Sequence, residues 1–540
     1  MHKYIRLANT LRYSGERISN GIRLSCTYKF NNDKHNSRNY SPSLILAATV
    51  SSFLAYKFYK NSKYVYLKET QQHINTEKYG AYQPNLPEYS LEEVSKHATK
   101  ETKIWVIFRR GVYDITNFVE EHPGGDQIML GAGNSIEPFW LLYGVHNQIQ
   151  IYEILEKMRI GNVSEKDAGE SIKDMSDPYD NDPKRHPILK PASLKPFNAE
   201  APLSLLAENF ISPNELFYVR NHLPVPEVDI STYELEVEVE DFKQFQKHTI
   251  TATIMCAGNR RSEMSKLKMV KGLDWGCAAI GNATFTGVRL KDVLHKVGIN
   301  EDSDYKHVQF EGLDTDSTGK SYGASIPFWK AVDKKSDVLL AYEMNGKPLP
   351  RDHGFPIRVI VPGVVGARNV KWLGKIIISQ NESDSHWQQN DYKSFSPSVD
   401  WDTVDFKTSP AIQELPVTSA ICKPEPGSTV KVQDGCIFVQ GYAWSGGGKQ
   451  IVRVDLTIDG GDNWHVANLD EQDSSSPPQH WSWTLWSAKI PVPKEKTQID
   501  IHVKAVDSDY NTQPEHFKNI WNLRGVLSNA YHHVPINVKW

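Results

Sequence analysis

A polar segment divides the sequence into separate folding units. Residues 165–187 (EKDAGESIKDMSDPYDNDPKRHP) contain three prolines and almost no side chain that could fill a core. Such a segment is typical of a flexible tether between domains. The 540 residues therefore do not form one core, and at about 150 residues per domain they have room for about three to four units.

Charge is unevenly distributed along the chain. Of the 61 Lys/Arg and 65 Asp/Glu, residues 1–69 hold 12 and 3, which leaves 49 against 62, a net charge of −13, for the rest. An acidic body argues against nucleic-acid binding. The overall mixture, 39% hydrophobic and 23% charged, excludes disorder, collagen and coiled coil as descriptions of the whole chain. The five cysteines form neither a disulfide framework nor a CxxC zinc pattern.

The basic head predicts a targeting segment over residues 1–75. Arginines are scattered among small and polar residues of the first forty positions, where the only acids are Glu16 and Asp33, as in a mitochondrial transit peptide. The apolar run 44–56 (LILAATVSSFLAY) is shorter than the roughly 20 residues that span a bilayer comfortably. We expect a two-part signal that delivers the mature protein to the intermembrane space, with membrane contact only during import. A retained membrane anchor is the alternative.

Periodicity predicts three folded units of an α+β multidomain protein. The first, residues 84–163, begins with a helix over 90–97 and a strand over 104–108. An acidic flexible linker, 164–189, separates it from a mixed α/β unit over 190–405. That unit has an alternating strand and two helical stretches. The strand carries Tyr233, Leu235, Val237 and Val239, and the helical stretches are 290–297 and 328–332.

The last stretch, residues 406–540, has the alternation of short β-strands with turns such as Asp459-Gly460-Gly461-Asp462 between them. This pattern predicts an immunoglobulin-like β-sandwich. The side chains expected to face its core are Val452, Val454, Leu456, Ile458, Ile499, Ile501, Val503 and Ala505. A sandwich of this kind serves either as a dimer interface or as a spacer or lid.

The first chemical signal is His122-Pro123-Gly124-Gly125, followed by His146. Two histidines from separate segments can ligate opposite faces of a haem iron. The glycines let the backbone approach a flat macrocycle because they have no side chain. Alone, this motif is equally typical of a turn with a surface histidine. The intervening sequence is apolar and suits a haem crevice; it includes Ile128, Met129, Leu130, Ile136, Phe139, Trp140, Leu141 and Leu142.

The surrounding residues favour a haem site over a turn with a surface histidine. The segments 112–118 (VYDITNF), 122–125 (HPGG) and 142–147 (LYGVHN) together resemble the cytochrome b5 domain over about 80 residues. The resemblance implies haem b with His122 and His146 as axial ligands. It also implies a negatively charged haem edge carrying Glu120, Glu121 and Asp126, which would steer a basic electron-transfer partner.

The second chemical signal is the segment 256–261 (CAGNRR), which follows the β-prone run 249–255. Neighbouring cations favour the thiolate form of a cysteine, and we expect Arg260 and Arg261 to supply them. The alternative is that Cys256 only fills space in the core, which is how we interpret Cys277, Cys422 and Cys436. Downstream, residues 351–371 (RDHGFPIRVIVPGVVGARNVK) combine basic side chains with glycine amides, as a phosphate-bearing cofactor requires. A solvated basic loop is the alternative there.

Seven segments together resemble the sulfite oxidase family, from about residue 84 to the C-terminus. In addition to 256–261 and 351–371 they are 217–222 (FYVRNH), 310–314 (FEGLD), 385–393 (SHWQQNDYK), 441–448 (GYAWSGGG) and 521–524 (WNLR). The order of haem, molybdopterin and sandwich units is that of the animal members. The resemblance implies oxidation of sulfite to sulfate with a water-derived oxygen, with electrons passing through haem b to cytochrome c. It also implies a homodimer through the C-terminal sandwich.

The resemblance assigns roles residue by residue. Cys256 would ligate molybdenum held by molybdopterin. The substrate pocket would contain Arg220, Arg261, Trp275, Tyr392 and Arg524. The pterin and its phosphate would be held by Tyr218, Val219, Arg220, Asn221, His222, Asp314, His353, Arg358, Asn369, Val370 and Lys371. One departure is the stretch between Arg220 and Cys256, which is shorter than the resemblance predicts; the loss falls after Val239.

Two rival interpretations stay open at this point. Eukaryotic nitrate reductase shares these modules but carries the haem unit after the sandwich and adds a flavin reductase, for which the sequence to Trp540 has no counterpart. A non-enzymatic electron carrier with a metal-free scaffold is the other. The presence of Cys256 together with the arginine set argues against it.

Overall fold

The computed structural model describes most of the chain beyond the predicted targeting segment. The described residues are 3–4, 78–122, 128–129, 131–142, 146, 148–167, 178–235, 245–316 and 319–540, without the side chains of Pro138, Leu141 and Leu142. The apolar run 44–56, residues Val237 and Val239 of the predicted strand, and the middle of the predicted linker lie outside them. Within the described residues no helix has both the length and the apolar character needed to cross a membrane.

The N-terminal unit is a five-stranded sheet, in the order β2-β6-β5-β4-β3, with three short helices. The first helix begins where expected because the Ser90 hydroxyl accepts a hydrogen bond from the Glu93 amide at 3.1 Å. The elements are β2 (Glu88–Tyr89), α1 (Leu91–Ser95), β3 (Ala98–Thr99), β4 (Lys103–Phe108), β5 (Gly111–Asp114), α2 (Glu137–Leu142), α3 (Ile149–Glu156) and β6 (Arg159–Val163), and β1 (Lys3–Tyr4) precedes them.

The predicted linker is packed at both ends. At its start, the Asp167 carboxylate accepts a hydrogen bond from the Leu91 amide, so residues 164–167 belong to the N-terminal unit. At its end, Arg185 pairs with Asp182 at 2.7 Å and with Asp352 at 2.8 Å, and Tyr179 is buried in the core of the next unit. Both described ends of the predicted linker 164–189 therefore contact the folded units, and the flexibility of the linker stays a prediction.

The middle unit combines three sheets around a large apolar core. Their orders are β7-β8-β9, then β10-β11-β14-β15 with β16 paired to β14, and β1-β17-β12-β13. Both predicted helices are confirmed at 290–296 and 328–332. The elements are β7 (Lys190–Leu194), β8 (Phe197–Glu200), α4 (Leu203–Leu206), β9 (Val219–Arg220), β10 (His248–Met255), α5 (Arg261–Leu267), β11 (Ile280–Arg289), α6 (Leu290–Lys296), β12 (His307–Thr315), β13 (Ser321–Pro327), α7 (Phe328–Val332), β14 (Leu339–Met344), β15 (Lys347–Pro348), β16 (Arg358–Ile360) and β17 (Leu373–Ser379).

The C-terminal unit is a sandwich of two sheets, β18-β20-β24-β23 and β19-β26-β25-β21-β22, with an aliphatic core between them. The α+β multidomain fold with a C-terminal sandwich is thus confirmed. The strands are β18 (Thr418–Lys423), β19 (Thr429–Lys431), β20 (Cys436–Trp444), β21 (Ile451–Thr457), β22 (His465–Val466), β23 (Asn468–Glu471), β24 (Thr484–Pro491), β25 (Gln498–Asp507) and β26 (His532–Lys539).

One predicted core position of the sandwich is wrong. Val452 is 45% exposed, whereas Val454 and Leu456 are buried. The register of β21 against β25 shifts between Ile451 and Arg453, and such a bulge changes which residues face the core. The alternation of β25 is confirmed, with Ile499, Ile501, Val503 and Ala505 all buried.

A buried arginine joins the middle unit to the sandwich. Arg260 is fully buried and adopts a left-handed φ of 65° immediately before α5. Its guanidinium pairs with Glu263 at 2.7 Å and donates to the carbonyl oxygens of Ala530 and Tyr531. We expected Arg260 to serve Cys256; the turn instead directs its side chain into the joint between the units.

Replacing Arg260 with methionine is expected to destabilise this joint. Removal of one partner of a buried ion pair leaves the other charge uncompensated, which costs about 3–5 kcal/mol. The matched control is Arg289→Met, which removes the half-exposed pair with Asp292 and should cost under about 1 kcal/mol. Urea unfolding followed by tryptophan fluorescence measures both. Equal losses in the two variants would contradict the role given to Arg260.

Candidate functional site

The two histidines of the N-terminal unit face each other across a gap. The ring centres of His122 and His146 are 6.2 Å apart and their planes differ by 8°. Two metal–nitrogen bonds of about 2 Å each and the inner halves of two imidazole rings fill such a gap. The ring separation is therefore compatible with a haem iron between them.

Aromatic and aliphatic side chains surround this gap. Trp140 stacks on His146 with ring centres 5.4 Å apart, and Phe118 meets His122 edge to face. Ile128, Met129 and Ile136 pack in the same apolar cluster as Trp140. Leu130 lies outside the described residues. The crevice thus has the apolar lining that a macrocycle requires.

The predicted acidic rim is only partly described. Glu121 is exposed, and Glu120 is 79% exposed and pairs with Lys100 at 2.7 Å. Asp126 lies outside the described residues. Because one of its two described carboxylates is already paired, the rim is less negative than the sequence alone indicates.

The middle unit contains a cavity at the end of β10, beside Cys256. The strand ends at Met255, and the Cys256 amide donates to the Ala279 carbonyl at 3.0 Å, which fixes the thiol at the cavity wall. Most of the predicted site residues come together here. Those that line the cavity are Tyr218, Arg220, His222, Cys256, Asp314, His353, Arg358, Asn369, Val370, Lys371 and Tyr392.

Val219 and Asn221, which were also predicted to hold the cofactor, stand behind the lining. Val219 is buried in β9. The Asn221 side chain donates to the Asp352 carboxylate at 3.1 Å and accepts from the Lys371 ammonium. Alternation along the short strand explains this placement, since only every second side chain can face the cavity.

The cavity holds two cations, Lys371 and Arg358, that donate to carbonyl and amide oxygens rather than to carboxylates. Burial lowers the pKa of Lys371 to about 7 and that of Arg358 to about 10. Arg358 donates to the carbonyl oxygens of His353 and Asn369, and its Nε has no hydrogen-bond partner in the described structure. Buried positive charge with an unmet donor is relieved by a bound anion. The residues therefore fit a phosphate-bearing cofactor.

The three arginines predicted for the substrate pocket come from different parts of the chain and lie close enough to influence one another. Arg220 lines the cavity, while Arg261 donates to the carbonyl oxygens of Arg524 and Gly525 just behind it. Burial, together with the like charges of Arg261 and Arg220, lowers the pKa of Arg524 to about 10. Mutual repulsion of guanidinium groups in a buried place indicates a site for a small anion.

Three residues predicted for the substrate pocket lie just outside the cavity lining: Arg261, Arg524 and Trp275. Trp275 is fully buried in the apolar cluster that contains Cys256, and its indole N–H has no hydrogen-bond partner among the residues that the structure describes. Arg524 forms an ion pair with Asp391 and donates through Nε to the Asp391 carbonyl. These contacts hold the two guanidinium groups at the back of the site.

Tyr392 and His222 form a buried pair in the cavity wall. The tyrosine oxygen lies 2.6 Å from His222 Nε2. Burial lowers the pKa of His222 well below its usual value, and Arg220 and Lys371 add to this effect. Burial also raises the pKa of Tyr392. A neutral imidazole therefore accepts the hydrogen bond that the protonated tyrosine donates.

Sequence reasoning missed two polar residues of the lining, Tyr322 and Asp352. Tyr322 donates to the Ala367 carbonyl at 2.8 Å, which holds the glycine-rich loop in place. The Asp352 carboxylate accepts hydrogen bonds from the Arg185 guanidinium and from the Asn221 side-chain amide. Asp352 could have been found as the one acid in the basic stretch 351–358. No sequence signal singles out Tyr322.

Three family models match the chain in order. Residues 90–164 match the cytochrome b5-like heme/steroid binding domain, 222–387 the oxidoreductase molybdopterin binding domain, and 409–539 the Mo-co oxidoreductase dimerisation domain. Each match falls within one of the three units of the fold.

Curated relatives match over most of the chain. Mitochondrial sulfite oxidase of Drosophila melanogaster is 57% identical over 84% of this chain and 81% of its own length. The Homo sapiens protein of the same name is 53% identical over 84% of each. Among solved structures, the sulfane dehydrogenase SoxCD of Paracoccus pantotrophus is 25% identical with a TM-score of 0.52, covering 67% of this chain and 90% of its own.

The anion-binding interpretation of the cavity predicts that Lys371→Met loses the molybdenum cofactor. A hydrogen bond to a charged group contributes about 1.5–3 kcal/mol, so molybdenum retained after dialysis should fall about 10-fold or more. The matched control is Lys375→Met, because Lys375 is close to Lys371 in the sequence but pairs with Glu311. Metal analysis of the purified proteins measures the molybdenum content of both variants. Full retention of molybdenum by Lys371→Met would contradict the anion-binding interpretation.

Proposed function

The chain belongs to the sulfite oxidase family, and from this we propose how its residues oxidise sulfite and pass on the electrons. It is a molybdenum-dependent oxidoreductase with molybdopterin and haem cofactors. The balanced reaction converts sulfite and one water into sulfate, two protons and two electrons. The observation that carries the assignment to this chain's own residues is Cys256 at the wall of a buried cationic cavity.

We assign the binding of the cofactor to the cavity lining. Cys256 would ligate molybdenum through its sulfur, and Arg358, Lys371 and His353 would hold the pterin and its phosphate. Molybdopterin-bound molybdenum supplies the two-electron oxidation and delivers a water-derived oxygen to sulfur. The protein's part is to orient the group and exclude water, which the burial of these side chains supports.

Sulfite recognition is proposed for the three arginines. Sulfite and sulfate are both oxyanions, so guanidinium groups can bind substrate and product alike. Arg220 lines the cavity, and Arg261 and Arg524 contribute charge from behind it. Because Arg524 is already paired with Asp391, the net positive charge is moderated. Moderated charge favours release of sulfate.

Tyr392 is proposed to hydrogen-bond the oxyanion and to assist proton movement. Its hydroxyl now donates to His222, which stays neutral in this environment. When an anion occupies the cavity, rotation of the hydroxyl proton would redirect that bond to the anion. Until then, this hydrogen bond makes His222 a positioning residue for the tyrosine in the cavity wall.

The N-terminal unit is proposed to relay electrons one at a time to cytochrome c. His122 and His146 would hold haem b, whose one-electron chemistry splits the two-electron oxidation into two transfers. Because residues 178–189 stay attached to the middle unit through Arg185, movement of the haem unit would pivot before Asp182. Such movement would let the haem visit both the molybdenum site and its acceptor.

Sulfite added anaerobically is expected to reduce the haem of the cofactor-loaded protein, and Cys256→Ser should abolish this response. Loss of the thiolate removes a molybdenum ligand but leaves the haem unit intact. Dithionite should therefore still reduce the haem in the variant. Absorption spectra measure both reactions, and reduction of added cytochrome c follows the next step.

The matched control is Cys436→Ser, which changes a half-buried cysteine of the sandwich and should leave sulfite-driven reduction in place. A haem that sulfite reduces equally in Cys256→Ser and parent protein would contradict the role of Cys256. Rapid haem reduction without reduction of cytochrome c would leave the oxidase in place and remove the proposed acceptor.

We also propose a homodimer, formed through the C-terminal sandwich and located in the mitochondrial intermembrane space. The match to a dimerisation domain and the basic head support this proposal. Rupture of the outer membrane should release the protein with a mass of two chains by analytical ultracentrifugation. Retention with the matrix or the inner membrane would contradict the location, and a single-chain mass would contradict the dimer.

A further inference from the structure

Two histidines and an aspartate form a cluster on the outer face of the sandwich, away from the residues of the cofactor cavity. The cluster consists of Asp500 and His502 on β25 and His533 on β26, and one ligand atom of each lies within 4.8 Å of those of the other two. The cofactor chemistry proposed above uses none of them.

The strand register brings these three side chains together. His502 and His533 are direct cross-strand partners, and Asp500 lies two residues before His502 on the same face. The alternate side chains of β25, Ile501 and Val503, point to the other side of the sheet and are buried in the core. The neighbouring His532 points the other way, where its Nδ1 accepts a hydrogen bond from the Ile421 amide. The cluster is therefore fixed by the sheet rather than by flexible loops.

The distances fit a common cation. Asp500 Oδ2 lies 2.9 Å from His502 Nε2 and 3.4 Å from His533 Nδ1. Ligand atoms about 2.0–2.1 Å from a tetrahedral zinc ion are separated from one another by roughly 3.3 Å. An aspartate carboxylate is ordinarily ionised near neutral pH, so Asp500 can serve as an anionic ligand.

Access and donor type narrow the choice of ion. The Asp500 side chain is 46% exposed, so solvent can reach the site and provide a fourth ligand. Imidazole nitrogen with one carboxylate suits zinc and neighbouring first-row divalent ions and disfavours calcium and magnesium, which prefer oxygen ligands.

We propose that Asp500, His502 and His533 form a binding site for one divalent transition-metal ion, zinc being the probe, on the outer face of the C-terminal sandwich. Two strands of the same sheet hold all three ligands, so binding needs no change of fold. A metal bound there cross-links β25 and β26 and favours the folded sandwich.

The test is calorimetric titration of the holoenzyme with zinc chloride in buffer free of chelators, with cobalt absorption as a second readout of ligand geometry. Parent protein should bind one zinc ion per chain at this site. His533→Gln and Asp500→Asn should each weaken that binding at least ~10-fold, since even outer partners of metal ligands contribute 10–100-fold. The matched control is His295→Gln, which removes a surface histidine paired with one carboxylate only, Glu301.

Haem absorption and sulfite-dependent haem reduction verify that each variant is folded, because none of these residues belongs to the cofactor sites. Zinc binding that is equal in parent, His533→Gln and Asp500→Asn would overturn the proposal, as would the absence of a zinc ion per chain in the parent. Weakening of similar size in His295→Gln would show nonspecific surface binding and would overturn it too.

Discussion

Positive charge buried around one cavity is the constraint on which the middle unit depends. Arg358 and Arg261 are buried and Lys371 and Arg524 are partly buried, in places where an isolated cation is disfavoured. Each is held by backbone carbonyl oxygens or by a carboxylate, so the surrounding loops must follow paths that present those oxygens. The glycine-rich stretch after β16 and the turn around Gly525 follow such paths. Structure and affinity for an anion therefore have the same cause.

The sandwich is part of this arrangement rather than an independent appendage. Arg524 and Gly525, which stand beside Arg261, belong to the sequence between β25 and β26, and Arg260 reaches back to Ala530 in the same segment. Adjacent arginines thus serve different ends: Arg260 joins the units, and Arg261 supplies charge at the site. The arginines behind the cavity are therefore held by both units, whose cores merge through Trp444 and Trp483.

Local patterns in the sequence predicted what depends on local geometry, and resemblance predicted most of the cavity lining. The helices of the middle unit and the alternation of β25 follow from periodicity alone, whereas the histidine pair was predicted only with the resemblance to a haem domain. The failures have non-local causes. Val452 is exposed because a bulge changes the register, and Arg260 turns away because of one left-handed residue. Tyr322 lines the cavity because of how the sheets pack, and no neighbouring residue in the sequence indicates this position. The predicted site roles themselves stay predictions until tested.

The connection between the haem unit and the cavity limits how far apart they can be. Asp167 is bound within the N-terminal unit and Tyr179 within the core of the middle unit. The 12 peptide units between them, at about 3.3–3.6 Å each, allow a separation of at most about 40 Å. At the far end, the Arg185 guanidinium donates to the Asp352 carboxylate. The backbone carbonyl of Asp352 in turn accepts a hydrogen bond from Lys371, which lines the cavity. The segment that leads to the haem unit is therefore anchored beside the wall of the cavity.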